Sequence, residues 1–124
     1  MIFMLILYTG TTCPKCPAAR KIVRKVANKL GWTEGKDFVE KLVDGSELKS
    51  GKTKLEGETY NLVTSAEDIT SDKTPAALVG EDFSIEALMY QIASTPSIVI
   101  NGEVAFIGQI PSEEELLKAI ERIR

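Results

Sequence analysis

Residues 2–8, IFMLILY, form an unbroken apolar run, the pattern of a short strand buried on both faces. A turn over residues 9–12 follows, centred on Gly10. Between residues 14 and 30 the apolar side chains Ala18, Ile22, Val23, Val26, Ala27 and Leu30 recur at spacings of three and four, which predicts one face of a helix with Gly31 as its stop. Residues 38–43, FVEKLV, read as a second strand, so strand, helix and strand make a crossover unit with parallel strands. Apolar positions at Phe83, Ile85, Leu88, Met89 and Ile92 predict a second helix over 82–93. Residues 97–101 and 104–108 flank Asn101-Gly102, a pair that accepts positive φ, and predict an antiparallel hairpin. In PSEEELLKAIERI, Ser112 and Glu115 form a capping box, and three glutamates complement the dipole of a closing helix.

Residues 44–80 differ in texture. They are rich in Gly, Lys, Ser, Thr and Glu, with TYNLV and PAALV as apolar islands. This stretch is too long for an ordinary connection and is expected to carry a hairpin or a short extra strand of its own. The pattern predicts an α/β chain of one domain, residues 1–124, with a polar insertion after the second strand.

Composition narrows the function classes. At 124 residues the chain buries about two thirds of its unfolded surface without crosslinks. A formal charge of -3 gives no basis for a nucleic-acid or anionic-membrane partner. The first apolar run is too short to span a membrane and lacks the charged start and cleavage site of a signal peptide. A cytoplasmic location is the default expectation, because a reducing compartment suits two close cysteines as redox groups or metal ligands rather than a permanent crosslink.

Those two cysteines, Cys13 and Cys16, are the only ones, and the chain has no histidine. A closed zinc site needs four such ligands, so a metal or iron-sulfur site requires a second copy of the chain. An inert buried pair is the bland alternative. A dithiol-disulfide couple has a mechanism. Cys13 lies at the start of a helix, where the dipole supplies ~1 to 2 kcal/mol towards a thiolate, roughly one pKa unit. Cys13 is expected to attack and Cys16, one turn inside, to resolve the mixed disulfide. Lys15 is a candidate support for the thiolate. The predicted first helix carries Lys15, Arg20, Lys21, Arg24, Lys25 and Lys29 without an acidic residue. A solvated face explains most of these, and Lys15 and Arg20 remain candidates for a basic rim that steers an acidic partner.

The order strand, CPKC, helix, strand, helix, Thr95-Pro96, hairpin SIVINGEVAFIG and closing helix resembles the thioredoxin and glutaredoxin superfamily, over roughly residues 2–43 and 82–123. The resemblance implies a thioredoxin fold: a central mixed four-stranded sheet flanked by helices. It also implies that Pro96 follows a cis peptide bond and faces the cysteines, and that the Thr95 backbone offers strand-like hydrogen bonds to a docked substrate. A protein disulfide would be the substrate, a reductase or glutathione the electron source, and the Cys13–Cys16 disulfide the redox centre without another cofactor. A monomer is expected. CPKC with LYT upstream is similar to glutaredoxins, but their glutathione-holding Gly-Gly pair is replaced by Gly108-Gln109-Ile110. A glutaredoxin-like redoxin recharged by a reductase, serving enzymes such as ribonucleotide reductase, fits equally. The competing class is a non-catalytic thioredoxin-fold binding module that uses the 44–80 stretch as its surface.

Overall fold

In a computed structural model, which describes residues 3–11, 13–45, 48, 51–55, 58–70, 72–80 and 82–123, the apolar N-terminal run becomes β1 (Leu5–Thr9). Ile2 of the expected strand, Thr12 of the expected turn and parts of the 44–80 stretch lie outside the described residues. β1 pairs in parallel with β2 (Phe38–Leu42), Leu7 opposite Glu40, across helix α1 (Cys16–Leu30).

The 44–80 stretch corrects the expected strand count. It supplies β3 (Gly51–Leu55), β4 (Glu58–Val63), a single 3-10 turn and β5 (Ala76–Leu78). After α2 (Phe83–Met89), β6 (Ser97–Ile100) returns antiparallel to β1 and forms a hairpin with β7 (Glu103–Ile107). Its turn holds Asn101 and Gly102 at φ 48° and 81°, the left-handed pair that a two-residue hairpin needs. The sheet therefore has seven strands rather than four, in the order β3-β4-β5-β2-β1-β6-β7. The four expected strands stand together as β2-β1-β6-β7, and the insertion extends the same sheet past β2. Its polarity hid this because its buried core residues are concentrated in the two apolar islands, where Tyr60, Leu62, Ala77 and Val79 pack with Leu42.

Alternation along the strands assigns the faces. Leu5 and Leu7 of β1, Phe38 of β2 and Ile98 and Ile100 of β6 pack against Ala19, Val23, Val26 and Ala27 of α1 and against Leu116 and Ile120 of the last helix, α3 (Glu113–Ile123). Tyr8 and Val99 point the other way, onto Ala87 of α2 and Ile92. Helix α1 starts two residues later than its periodicity suggests, with Lys15 as its cap, and ends on Gly31 at φ 72°. Helix α2 stops at Met89 rather than residue 93, because Gln91 takes φ 60°.

The capping box forms as read. The Glu115 amide donates to Ser112 Oγ at 3.1 Å and the Ser112 amide to Glu115 Oε1 at 3.0 Å. Ser112→Ala is expected to lower stability by about 1 kcal/mol in a urea titration, with the denaturant slope unchanged. Among the described residues no helix is long and apolar enough to cross a membrane.

Candidate active site

The parallel crossover from β1 into α1 puts both cysteines at the carboxyl edge of the central strands, where open α/β sheets present their binding groups. β1 ends at Thr9, and Gly10 and Thr11 turn the chain towards Cys13. An added Cβ at Gly10 would lie 3.4 Å from Thr95 Oγ1 and 3.6 Å from Cys13 Cβ, ordinary contact distances that place Gly10 directly against both residues. Asp44, just beyond β2, fastens the turn: its carboxylate accepts from the Thr11 amide at 3.0 and 3.2 Å and from the Thr11 hydroxyl at 2.9 Å. Asp44 carries no sequence signal, because it opens the polar insertion with nothing to mark it as a neighbour of Thr11.

Cys13 sits in the turn before α1, partly exposed, and Cys16 is the first helical residue and fully buried. Cys13 thus precedes the helix and Cys16 opens it, whereas the sequence pattern sets Cys13 at the helix start and Cys16 one turn inside. The two remain joined, since the Cys16 amide donates to the Cys13 carbonyl at 3.3 Å.

Their acidities are pushed in opposite directions. Burial works against the Cys13 thiolate, but hydrogen bonds from the Cys16 thiol, the Thr95 side chain and the Lys15 and Cys16 backbone amides outweigh it, and the Cys13 pKa falls below the ordinary thiol value. Burial pushes Cys16 up to about 12, reinforced by its bond to Cys13 and by the Cys13 charge, with the Gly10 amide and Thr95 pulling weakly the other way. Thr95 contributes in two ways. As a thiol, Cys13 donates to the Thr95 carbonyl at 3.4 Å, which disfavours ionisation. As a thiolate it needs donors instead, and the Thr95 hydroxyl supplies one.

Thr95 is thus brought to the cysteines, and the Thr95–Pro96 peptide bond is cis. The Thr74–Pro75 bond, which carried no sequence signal, is cis as well. Lys15 reaches Cys13 through its backbone amide, while its ammonium donates to the Gly108 carbonyl at 3.3 Å. Lys15→Gln is therefore expected to move the pH midpoint of Cys13 alkylation by less than about half a unit; a full-unit rise would restore the ammonium as the support.

The expected basic rim on α1 is largely paired or buried. Lys25 and Lys29 both bind Glu113 of α3, and Arg24 binds Glu34 and Glu40. Arg20, expected at the rim, is 1% exposed and bonds Glu40 Oε2 through Nε at 2.5 Å. Thr9 Oγ1 donates to the same carboxylate oxygen at 2.7 Å. Glu40 carries no sequence signal, because it stands next to Lys41 in FVEKL and the pattern alone does not distinguish a buried ion pair from a solvent-facing charge. Among the described residues no group of three or more metal-ligating side chains occurs.

The thioredoxin-domain family model matches residues 56–121, more than half of the chain and including Thr95 and Pro96. The chain belongs to the thioredoxin-domain family. It is similar to a thioredoxin of Methanocaldococcus jannaschii, 28% identical over 116 residues that cover 94% of this chain and 89% of the relative. A probable thioredoxin of Methanothermobacter thermautotrophicus is 28% identical over 120 residues, 97% of this chain and 94% of its own length. No solved structure gives a significant match. At family level the chain is a thioredoxin-like redox protein of the thiol-disulfide oxidoreductase class.

Proposed function

We propose that this thioredoxin-family chain reduces protein disulfides through the Cys13–Cys16 couple. The observation that carries the reading is the opposed environment of the two sulfurs: one partly exposed with its pKa lowered, the other buried with its pKa raised, beside Thr95. A dithiol that must attack first with one sulfur and only then with the other requires that asymmetry.

In the first step the Cys13 thiolate attacks one sulfur of the substrate disulfide. The substrate S–S bond breaks, its second sulfur leaves as a thiolate and takes a proton, and a mixed disulfide forms on Cys13. Cys16 then attacks Cys13 and releases the first substrate sulfur. Two electrons have passed to the substrate, and the chain holds a Cys13–Cys16 disulfide that a reductase must reopen. Thr95 and Pro96 act as the docking edge, with the Thr95 backbone pairing to the substrate chain. No further cofactor is needed in this scheme.

The relatives' names favour a thioredoxin-like over a glutaredoxin-like electron donor, and Gly108-Gln109-Ile110 lacks the pair that would hold glutathione. Ribonucleotide reductase is one client of the right chemistry. The proposed setting is cytoplasmic and the proposed state a monomer. Insulin reduction coupled to NADPH through a thioredoxin reductase tests this electron source. Turnover with the reductase and none with glutathione plus glutathione reductase is expected, and the reverse result would return the chain to the glutaredoxin side.

A further inference from the structure

Arg20 lies four residues after Cys16 on α1, and residues so spaced stack on one helix face. Both are fully buried. Glu40 of β2 takes the Arg20 Nε bond, while Nη1 and Nη2 are buried with no hydrogen-bond partner among the described residues. The guanidinium rests over the Tyr60 ring of β4, 4.8 Å from its centroid. Glu40 is shared with Arg24 at 3.1 Å, with Glu34 behind Arg24, and with the Thr9 hydroxyl of β1. These are the charged and titratable groups that face Arg20: Cys16 on its own helix, Glu40 on β2, Tyr60 on β4, and Arg24 and Glu34 through Glu40.

A buried cation with two donors unspent is expensive to keep. Replacing the ion pair by apolar side chains would relieve that cost, so the placement of Arg20 one turn below the resolving sulfur needs a reason. We propose that Arg20 is a positioning residue for the second half of the reaction: its field favours the Cys16 thiolate that attacks the mixed disulfide, and Glu40 sets how much of that field Cys16 feels. This rests on the disulfide-reducing role of the CPKC couple.

The timing follows from the charges. While Cys13 is itself a thiolate, its negative charge opposes ionisation of Cys16. Once Cys13 is bonded to substrate that charge is gone, and Arg20, partly offset by Glu40, remains coupled to Cys16 with the opposite sign. Cys16 then loses its proton, attacks Cys13, and the bond between Cys13 and the substrate sulfur breaks. The electron pair leaves on the substrate sulfur, and the proton given up by Cys16 is balanced by the one that sulfur takes. The Coulomb coupling between Cys16 and Arg20 acts in this direction.

The test uses the aromatic disulfide 5,5′-dithiobis(2-nitrobenzoate). Attack by Cys13 releases one coloured thiolate in a concentration-dependent phase, and resolution by Cys16 releases the second in a phase independent of reagent concentration. The pH midpoint of the second phase reads Cys16 ionisation in the adduct. Arg20→Met is expected to raise that midpoint by about one unit and Arg20→Lys to keep it near the parent. Glu40→Gln is expected to lower it, because it uncovers the cation. A structural role alone would perturb Arg20→Met and Glu40→Gln in the same sense, so opposite signs are the discriminating result. If Arg20→Met fails to fold, Glu40→Gln and Arg20→Lys still decide the matter. An Arg20→Met midpoint equal to the parent's, an Arg20→Lys midpoint a full unit above it, or a Glu40→Gln midpoint at or above it overturns the inference and leaves the proposed function standing. Absence of a first phase removes both.

Discussion

Cys13→Ser is expected to bring insulin reduction down to the uncatalysed rate, whereas Cys16→Ser performs one attack per molecule and accumulates as a mixed disulfide. The difference follows from position. Cys13 is the partly exposed sulfur, with its thiolate supported by two backbone amides, the Cys16 thiol and the Thr95 side chain. A serine there offers an alcohol that stays protonated at neutral pH and cannot take its place. Cys16 is fully buried and held protonated by that burial, so it cannot begin the reaction, yet its place in the first turn of α1 lets it finish. Non-reducing gels with mass spectrometry distinguish the two variants. A Cys13→Ser chain as active as the parent would leave only the binding-module reading.

The second large effect concerns stability. Glu40→Ala is expected to cost about 3 to 5 kcal/mol in chemical denaturation, because it strands the Arg20 guanidinium in the core without its carboxylate. Glu40 accepts from Arg20, Arg24 and Thr9 at once, and Arg20 and Glu40 are each 1% exposed. A typical domain has only about 5 to 15 kcal/mol in total, so this one deletion brings the fold close to its limit. Arg20→Met combined with Glu40→Leu removes both charges together and is expected to lose less than Glu40→Ala alone. A double variant less stable than the single one would show that the pair contributes net stability beyond mutual compensation.

The central fold was legible in the chain because its signals are local. The apolar run of β1, the three-and-four spacing of α1, the Asn101-Gly102 turn and the Ser112/Glu115 cap each fix an element from neighbouring residues. What stayed hidden depends on partners distant in sequence. β3, β4 and β5 are short and lie in a polar stretch, and their membership of the main sheet is decided by β5 pairing with β2. The positions of Cys13, Cys16, Thr95 and Pro96 follow from motif and order. The roles of Lys15 and Arg20 do not, since a basic side chain on a helix gives no indication whether it ends at a carbonyl, as Lys15 does, or turns into the core, as Arg20 does. Asp44 and Glu40 became visible as members of the site only once β2 was laid beside β1.

The account stands on the two sulfurs being unequal, and pH-dependent alkylation followed by mass spectrometry measures that directly. The reduced protein is pulsed with iodoacetamide across the pH range and each cysteine is counted separately. Since the thiolate is the reactive form, labelling of Cys13 falls as pH drops through its pKa, with a midpoint below the ordinary thiol value of about 8.5. Cys16 is expected to stay unlabelled until strongly alkaline solution, in line with a pKa near 12. Equal labelling of both cysteines with one midpoint at the ordinary value, or Cys16 reacting first, would contradict the division between an attacking and a resolving cysteine.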